Sequence, residues 1–316
     1  MILLINYDIK CRLICWLKIL LFKIKLVCFK GVGNKSLHLY TESSSALAPV
    51  LKKIDYFRRA KFTALCAKGY GMIDVKGKWC LVTGGCRGVG RLIAIEMAKL
   101  GANLILQGRD KSHAEKVFAE LAPYGVQVKA VGCNLENEDE IDAALAEIDS
   151  FGVQVDLVFN NAGLMSHYFA DYTTNTMDDF RQAMAVNFFA PMKIAYHFLP
   201  GMIKRGFGRM QLTTSGIANE PELAAYACAK AALTKFVKDF ACKLNGTDVM
   251  MNVMDPGWLR TDLGGPNAPN APESVVPGAL VSVLLDDKKS GRWFSAQDYV
   301  GMSIVDAVEN GRKVFA

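Results

Sequence analysis

The sequence predicts an α/β fold, a parallel sheet wrapped on both faces by helices, carried by one domain over residues 72–316 behind a basic N-terminal extension. Three observations point to it. A short apolar run, Trp79-Cys80-Leu81-Val82, leads directly into a glycine-rich turn and then an amphipathic helix. Comparable apolar runs recur as far as residue 254, alternating with stretches of helical length. The composition, with 51% hydrophobic residues, 22% charged residues and 27 glycines, suits a globular α/β chain. No linker or internal repeat divides the domain.

Residues 1–71 are a different material. They carry 13 Lys and Arg against only Asp8, Glu42 and Asp55, whereas the remaining 245 residues carry 24 basic against 28 acidic side chains. The run from Leu13 to Phe29 is apolar, but Lys18, Lys23 and Lys25 interrupt it well short of the roughly 20 residues a spanning helix needs. No small-residue cleavage site follows an apolar core, so a signal peptide is not expected. Three readings stand: a basic amphipathic surface segment, an organelle-targeting leader, or sequence upstream of the true start. Met72, immediately before the first strand, favours the third. The expected location is the cytoplasm, with a membrane-peripheral or organelle-targeted protein as the alternative. Weak contact with a membrane surface is expected only if residues 1–71 are expressed. No nucleic-acid module accompanies the basic charge, so nucleic acid is not an expected partner.

The nine cysteines, at 11, 15, 28, 66, 80, 86, 133, 228 and 242, include no Cys-x-x-Cys pair and are odd in number. Free thiols in a reducing compartment are the expectation. The four histidines, His38, His113, His167 and His197, show no metal spacing, and no metal is expected.

After the first strand, Thr83-Gly84-Gly85-Cys86-Arg87-Gly88-Val89-Gly90 opens a helix from about Arg91 to Leu100. Strand, glycine turn and helix in that order make a phosphate site. The glycines let the backbone approach a pyrophosphate, and the helix N-terminus supplies free N–H groups and partial positive charge. The second strand, Ala102 to Leu106, ends at Gln107-Gly108-Arg109. A site selective for NAD would place an acid there to hold the ribose 2′-hydroxyl. Gly108 and Arg109 stand there instead, and Arg87 lies in the turn. Two guanidiniums and no carboxylate predict a 2′-phosphate, and so NADPH in preference to NADH.

A helix from about Ser112 to Ala122 leads to a strand over 126–131, and an acidic helix begins after Cys133-Asn134-Leu135. The fourth strand runs from Phe151 to Phe159 and ends in Asn160-Asn161-Ala162-Gly163. Asn187 falls in a long helix from about Thr176 to Leu199. The fifth strand spans Met210 to Thr214, followed by Ser215-Gly216. The sixth spans Val249 to Met254 and ends in Asp255-Pro256-Gly257. Between them, Tyr226-Ala227-Cys228-Ala229-Lys230 puts a phenol and an ammonium on one helix face. An ammonium beside a phenol favours the phenolate and lowers its pKa, so Tyr226 is the candidate for giving or taking an alcohol proton. Cys86 in the turn and Cys228 beside Tyr226 are candidate sites of thiol sensitivity.

With these pieces in order, the domain resembles the short-chain dehydrogenase/reductase family. The resemblance rests on Thr83-Gly84-x-x-x-Gly88-x-Gly90, Asn160-Asn161-Ala162-Gly163, Asn187, the hydroxyls at 213–215, Tyr226-x-x-x-Lys230 and Pro256-Gly257. It covers none of residues 1–71. It implies a Rossmann-type doubly wound sheet and a small-molecule carbonyl or alcohol substrate. Tyr226 would be the general acid/base, Lys230 would bind the nicotinamide ribose and Asn187 would support a proton relay. The implied cofactor contacts are Thr83, Gly84, Arg87, Gly88, Val89, Gly90, Arg109, Asn134, Leu135, Asn161, Ala162, Gly163, Tyr226, Lys230, Pro256, Gly257 and Thr261. The stretch 256–266 resembles carbonyl reductases within the family, and oligomers are common in it, so a homo-oligomer is a further expectation.

Two departures stand out. Asn134 replaces the usual Asp at the adenine contact. The catalytic hydroxyl falls on Thr213 when counted back from Tyr226 and on Ser215 when the strand is aligned; Ser215 is preferred and Thr213 is the alternative. A nonenzymatic NADPH-binding sensor or scaffold is the rival reading, opposed by the intact Asn187, Tyr226 and Lys230. Leu164, Met165, His167, Tyr168, Glu220, Pro221, Trp258 and Leu263 form the expected substrate wall.

Overall fold

The computed structural model describes residues 71–314, so the basic extension lies outside the described residues save for Gly71. Strand β1, Trp79–Thr83, is buried along its whole length. Its alternate side chains serve two different cores, as the two-residue period of a strand requires. Cys80 and Val82 pack on one face with α1 (Gly88–Lys99), while Trp79 and Leu81 pack on the other. β2 (Asn103–Gly108) and β3 (Val128–Gly132) pair on one side of β1. β4 (Val155–Asn160), β5 (Gly208–Thr213), β6 (Val249–Asp255) and β7 (Trp293–Ser295) follow on the other. The seven strands are all parallel, in the order β3-β2-β1-β4-β5-β6-β7. The direction of winding reverses between β1 and β4, which opens a crevice at their carboxyl ends.

The helices take their places from the same alternation. The expected helix over 112–122 is two short pieces, α2 (Lys111–Glu115) and α3 (Phe118–Leu121), continued by a 3-10 turn that holds Pro123. The acidic helix is α4, Glu138–Ser150, capped by Asn137, whose side chain accepts from the N–H groups of Asp139 and Glu140. Three acidic residues in its first turn suit the positive end of the helix dipole. The fourth strand begins later than expected because Gly152 adopts φ 64° and turns the chain before Val155.

The long helix expected from Thr176 to Leu199 is α5 (Met177–Met184), a π turn over Ala185–Phe189, and α6 (Ala190–Arg205). It passes through Pro200 and stops only where Gly206 takes φ 72°. Helix α7 spans Ala224–Leu244. Beyond β6 come α8 (Gly278–Leu284), β7 and α9 (Ile304–Val314), which the sequence reading did not resolve. The first described residues join this far edge: Ile73 N–H donates to Leu284 O at 2.9 Å, and Met72 bridges to Leu285. No helix among the described residues is long and apolar enough to cross a membrane.

Candidate dinucleotide and catalytic site

The turn after β1 has the shape its glycines allow. Gly84 and Gly88 adopt φ 61° and 52°, a region that L side chains rarely occupy. A Cβ on Gly90 would lie 2.2 Å from Gly84 O, so the helix can close on the turn only if residue 90 has no side chain. Helix α1 begins at Gly88 with no side-chain cap and no acid in its first turn. Its first N–H groups and its dipole are therefore free for an anion. Gln107 fastens the turn from below. Its Oε1 accepts the Gly84 N–H at 3.0 Å, while its Nε2 donates to Gly108 O at 2.9 Å and Cys133 O at 2.8 Å. This buried amide joins the carboxyl ends of three strands. It was missed in the sequence, where its one signal was a polar residue at the end of an apolar run.

Around the expected 2′-phosphate position, Arg87 Nη1 meets Asp262 Oδ2 at 2.7 Å. Thr261 lies over the turn, since a Cβ on Gly88 would be 3.7 Å from its Cγ2. Arg109 is exposed and has no ion-pair partner among the described residues. A Cβ on Gly108 would fall 2.6 Å from Cys86 Sγ and 3.0 Å from Asp110 O, so an acid at this position has no room. Asn134 holds the chain entering α4: its N–H donates to Glu140 Oε2 at 2.8 Å and its Oδ1 accepts from Glu136 N–H at 3.3 Å. Leu135 packs against the core beside it.

Thr83 joins the ends of β1 and β4. Its Oγ1 accepts from the N–H groups of Asn161 and Ala162, both at 3.0 Å, and Asn161 Nδ2 donates to Thr83 O at 3.1 Å. The chain then passes Gly163, whose Cβ, were it present, would stand 3.1 Å from Asn187 Oδ1 and 3.5 Å from Lys230 Nζ. Three separate segments converge at this bare backbone. Asn187 is fully buried in the π turn, where Ala190 N–H donates to Ala185 O five residues back. Both ends of its side chain are committed to Leu164: Oδ1 accepts from its N–H at 3.0 Å and Nδ2 donates to its carbonyl at 2.9 Å. A widened turn of this kind is often found at functional sites.

Helix α7 presents Tyr226 and Lys230 one turn apart, both buried. Lys230 Nζ donates to Thr213 O at 2.7 Å. Ser215 stands beside the Tyr226 hydroxyl and pulls its pKa down, and Ser215 Oγ accepts from Ile217 N–H at 3.2 Å. Thr213 Oγ1 is buried with no partner, and Thr214 Oγ1 is 2.7 Å from Thr234 Oγ1. Of the three hydroxyls at 213–215, Ser215 is the one that meets Tyr226.

The electrostatics differ from expectation. Burial pushes the Tyr226 phenol up to about 12, with the neighbouring Ser215 hydroxyl pulling the other way. Lys230 is not among the groups that move it, and burial holds that ammonium itself down to about 8. Beside them Asp255, also raised by burial, accepts the N–H of Gly257 at 2.9 Å and lies against Gly216. Gly257 takes φ 76°, and Pro256 O accepts from Gln297 Nε2 at 2.8 Å. Asp255 was absent from the sequence-derived site. Being near two titrating groups, it could have been noticed there as a carboxylate directly before Pro256-Gly257.

A cavity of about 370 Å³ opens beside Ser215, between α7 and Trp293. Of the expected substrate wall, Tyr168, Trp258 and Leu263 are exposed, and His167 Nδ1 lies 2.6 Å from the buried Asp179 carboxylate. Cys86 is half-buried and raised by burial, whereas Cys228 is exposed. Among the described residues no group of His, Cys, Asp and Glu converges as a metal site.

A profile of the short chain dehydrogenase family matches residues 78–271. The chain is 32% identical over 194 residues to the 3-oxoacyl-[acyl-carrier-protein] reductase FabG of Aquifex aeolicus, covering 60% of this chain and 77% of that protein. It is 30% identical to versicolorin reductase 1 of Dothistroma septosporum, over 72% of this chain and 84% of the relative. Among solved structures, a metagenomic short-chain oxidoreductase in complex with NADP superposes with a TM-score of 0.59 and 26% identity. It covers 70% of this chain and 97% of the other.

Proposed function

From the premise that this chain belongs to the short-chain dehydrogenase family and is a short-chain oxidoreductase, we propose that it reduces a ketone or aldehyde with NADPH, or runs the reverse oxidation. The observation that carries the reading is the meeting of Tyr226 with Ser215, beside Lys230, at the bare backbone of Gly163.

The residues fit a dinucleotide. Gly84, Gly88 and Gly90 leave a cradle that side chains would fill, and the uncapped start of α1 faces it. The nicotinamide cofactor, when bound, supplies the hydride. The protein's part is to hold and protonate the substrate oxygen. Ser215 and Tyr226 place two hydroxyl donors at that oxygen, where negative charge develops. A phenol held near 12 stays protonated at neutral pH, which is the form that gives a proton to a developing alkoxide. Lys230, anchored on Thr213 O, would orient the ribose and return a proton inward past the widened turn at Asn187. Asn187 fixes Leu164, and through it the floor on which substrate rests.

Preference for NADPH is supported by Arg87, by the exposed Arg109 and by the absence of room for an acid at Gly108. Oxidation of NADPH and of NADH, followed at 340 nm against a panel of ketones, aldehydes and oxoacyl thioesters, tests the reading. Turnover with NADPH that is lost in Tyr226→Phe is expected. No turnover with any carbonyl would overturn it.

A further inference from the structure

On the reading just given, we propose that Asp255 is a positioning residue of the reaction. Its carboxylate ties the Ser215-Gly216 strand end to the Pro256-Gly257 turn and sets a fixed negative charge before Lys230 and Tyr226.

The placement follows from the sheet. β5 and β6 run in register with Thr213 opposite Met254, and the pairing continues one step further, where Thr214 N–H donates to Met254 O at 2.8 Å. Ser215 and Gly216 therefore leave the sheet directly beside Asp255. A Cβ on Gly216 would lie 2.8 Å from Asp255 Oδ2, an approach that only glycine permits. The carboxylate lies against the Gly216 backbone on one side and accepts from Gly257 N–H at 2.9 Å on the other. It thus bridges the loop that carries the Ser215 hydroxyl and the loop expected to contact the cofactor.

The Gly257 N–H, the Gly216 backbone and a nearby ammonium call for a group that presents oxygen on both sides. An asparagine would offer one oxygen and turn an NH₂ group to the other side. The groups facing the carboxylate come from every neighbouring element. Lys230 and Tyr226 face it from α7, Asp298 faces it from the 3-10 turn Ala296–Tyr299, and Ser295 stands opposite it on β7. Lys230 favours its charge, and Asp298 together with burial opposes it. In return its negative charge raises the pKa of both Lys230 and Tyr226, so it holds the ammonium charged and the phenol protonated. Reduction needs both groups in those forms.

The test is Asp255→Asn in the full chain, with two readouts. In nucleotide-free protein labelled at lysine Cε with ¹³C, the Lys230 signal, assigned by its absence from Lys230→Met, should titrate near 8 in the parent. In the variant its midpoint should fall by on the order of one unit. In assays of carbonyl reduction, kcat at neutral pH should drop about tenfold, and the alkaline limb of the pH profile should move to lower pH. A folded variant with an unmoved Lys230 midpoint overturns the proposal, even if kcat falls. If the parent reduces no carbonyl, the reaction reading fails while the titration still decides the role of Asp255. Should Asp255→Asn not fold, Gly216→Ala displaces the carboxylate without removing its charge. A shifted Lys230 midpoint then supports the proposal and an unchanged one overturns it.

Discussion

Arg87 and Asp262, 175 positions apart in the chain, close an ion pair at 2.7 Å that joins the glycine turn to the loop after β6. Both side chains are largely exposed, at 79% and 73%, so the pair contributes less than about 1 kcal/mol and is easily exchanged. A 2′-phosphate offers Arg87 a stronger partner, since charge-assisted bonds are worth about 1.5–3 kcal/mol. Arg109, at the end of β2, is exposed and makes no ion pair among the described residues. Arg109→Ala should therefore raise the KM for NADPH by one to two decades and leave that for NADH nearly unchanged. Asp262→Asn, which frees Arg87, should lower the NADPH KM by about threefold at most. Steady-state kinetics with both cofactors checks this, and equal effects on the two would remove the argument.

Gly108 gives a second, steric route to the same preference. The usual way to turn such a site toward NADH is an acid at the end of β2. Here its Cβ would strike Cys86 Sγ at 2.6 Å. Gly108→Asp alone should cost about 1–3 kcal/mol through overpacking and gain no NADH activity. Combined with Cys86→Gly, which removes the opposing sulfur, it should recover stability and improve the NADH KM. Melting temperatures and NADH kinetics of the single and double variants decide it. A stable, NADH-active single variant would contradict the packing seen here.

Much of this was legible in the sequence because the carriers are short and local. A glycine turn between strand and helix, or a Tyr and Lys one helical turn apart, states its geometry within eight residues. What was not legible depends on distant partners. Nothing around Asn187 marks a π turn, and Pro200 reads as a helix end although α6 runs to Arg205. β7 has three residues, too few for any period to show. Whether Ser215 or Thr213 faces Tyr226 depends on where β5 ends relative to α7. The sign of the Tyr226 shift depends on burial, which spacing alone does not give.

Tyr226→Phe should abolish turnover, about 10²–10⁴-fold, with cofactor binding nearly intact, because the ring packing is kept and only the proton donor is deleted. The two candidate hydroxyls, Ser215 and Thr213, separate cleanly. Ser215→Ala should cost most of the remaining activity. Thr213→Val removes a buried hydroxyl that has no partner, so it should leave kcat within about twofold and stability unchanged or slightly raised. A larger kcat loss in Thr213→Val than in Ser215→Ala would reverse the assignment.

Lys230 should be a residue whose removal stabilises the nucleotide-free protein. Its pKa falls from 10.5 to about 8 on folding, chiefly through burial. Between those values the unfolded chain binds more protons than the folded one, so stability rises as pH goes from about 8 to 10.5. Below 8 the full cost of burying the charge is present. Lys230→Met should then raise stability at pH 7 by about 1–3 kcal/mol, after the loss of the bond to Thr213 O, while activity is lost. The gain should shrink by pH 10. Denaturant melts at pH 7 and pH 10 measure it, and a destabilised variant at pH 7 would show that the Thr213 bond outweighs desolvation.

The start of the domain can be placed by truncation. Residues 1–70 lie outside the described residues, and the next few belong to the core. Met72, Ile73 and Val75 are at most 8% exposed, and they pack with α8 residues such as Val281 and Leu284. Asp286 N–H donates to Gly71 O at 2.8 Å and Ile73 N–H to Leu284 O at 2.9 Å, so the segment is also tied by backbone. Each buried side chain of this size contributes about 1.5–3 kcal/mol, so the three together amount to much of the 5–15 kcal/mol by which domains are stable. A chain starting at Met72 gives up the Gly71 carbonyl bond alone among these ties, so it should keep the kcat of the full chain and melt only slightly lower. One starting at Lys76 should melt far lower or fail to fold. N-terminal mass spectrometry of native protein, alongside thermal melts of the two truncations, tests both statements. If the chain starting at Met72 fails to fold while the full chain folds, part of residues 1–71 belongs to the core and the boundary lies earlier.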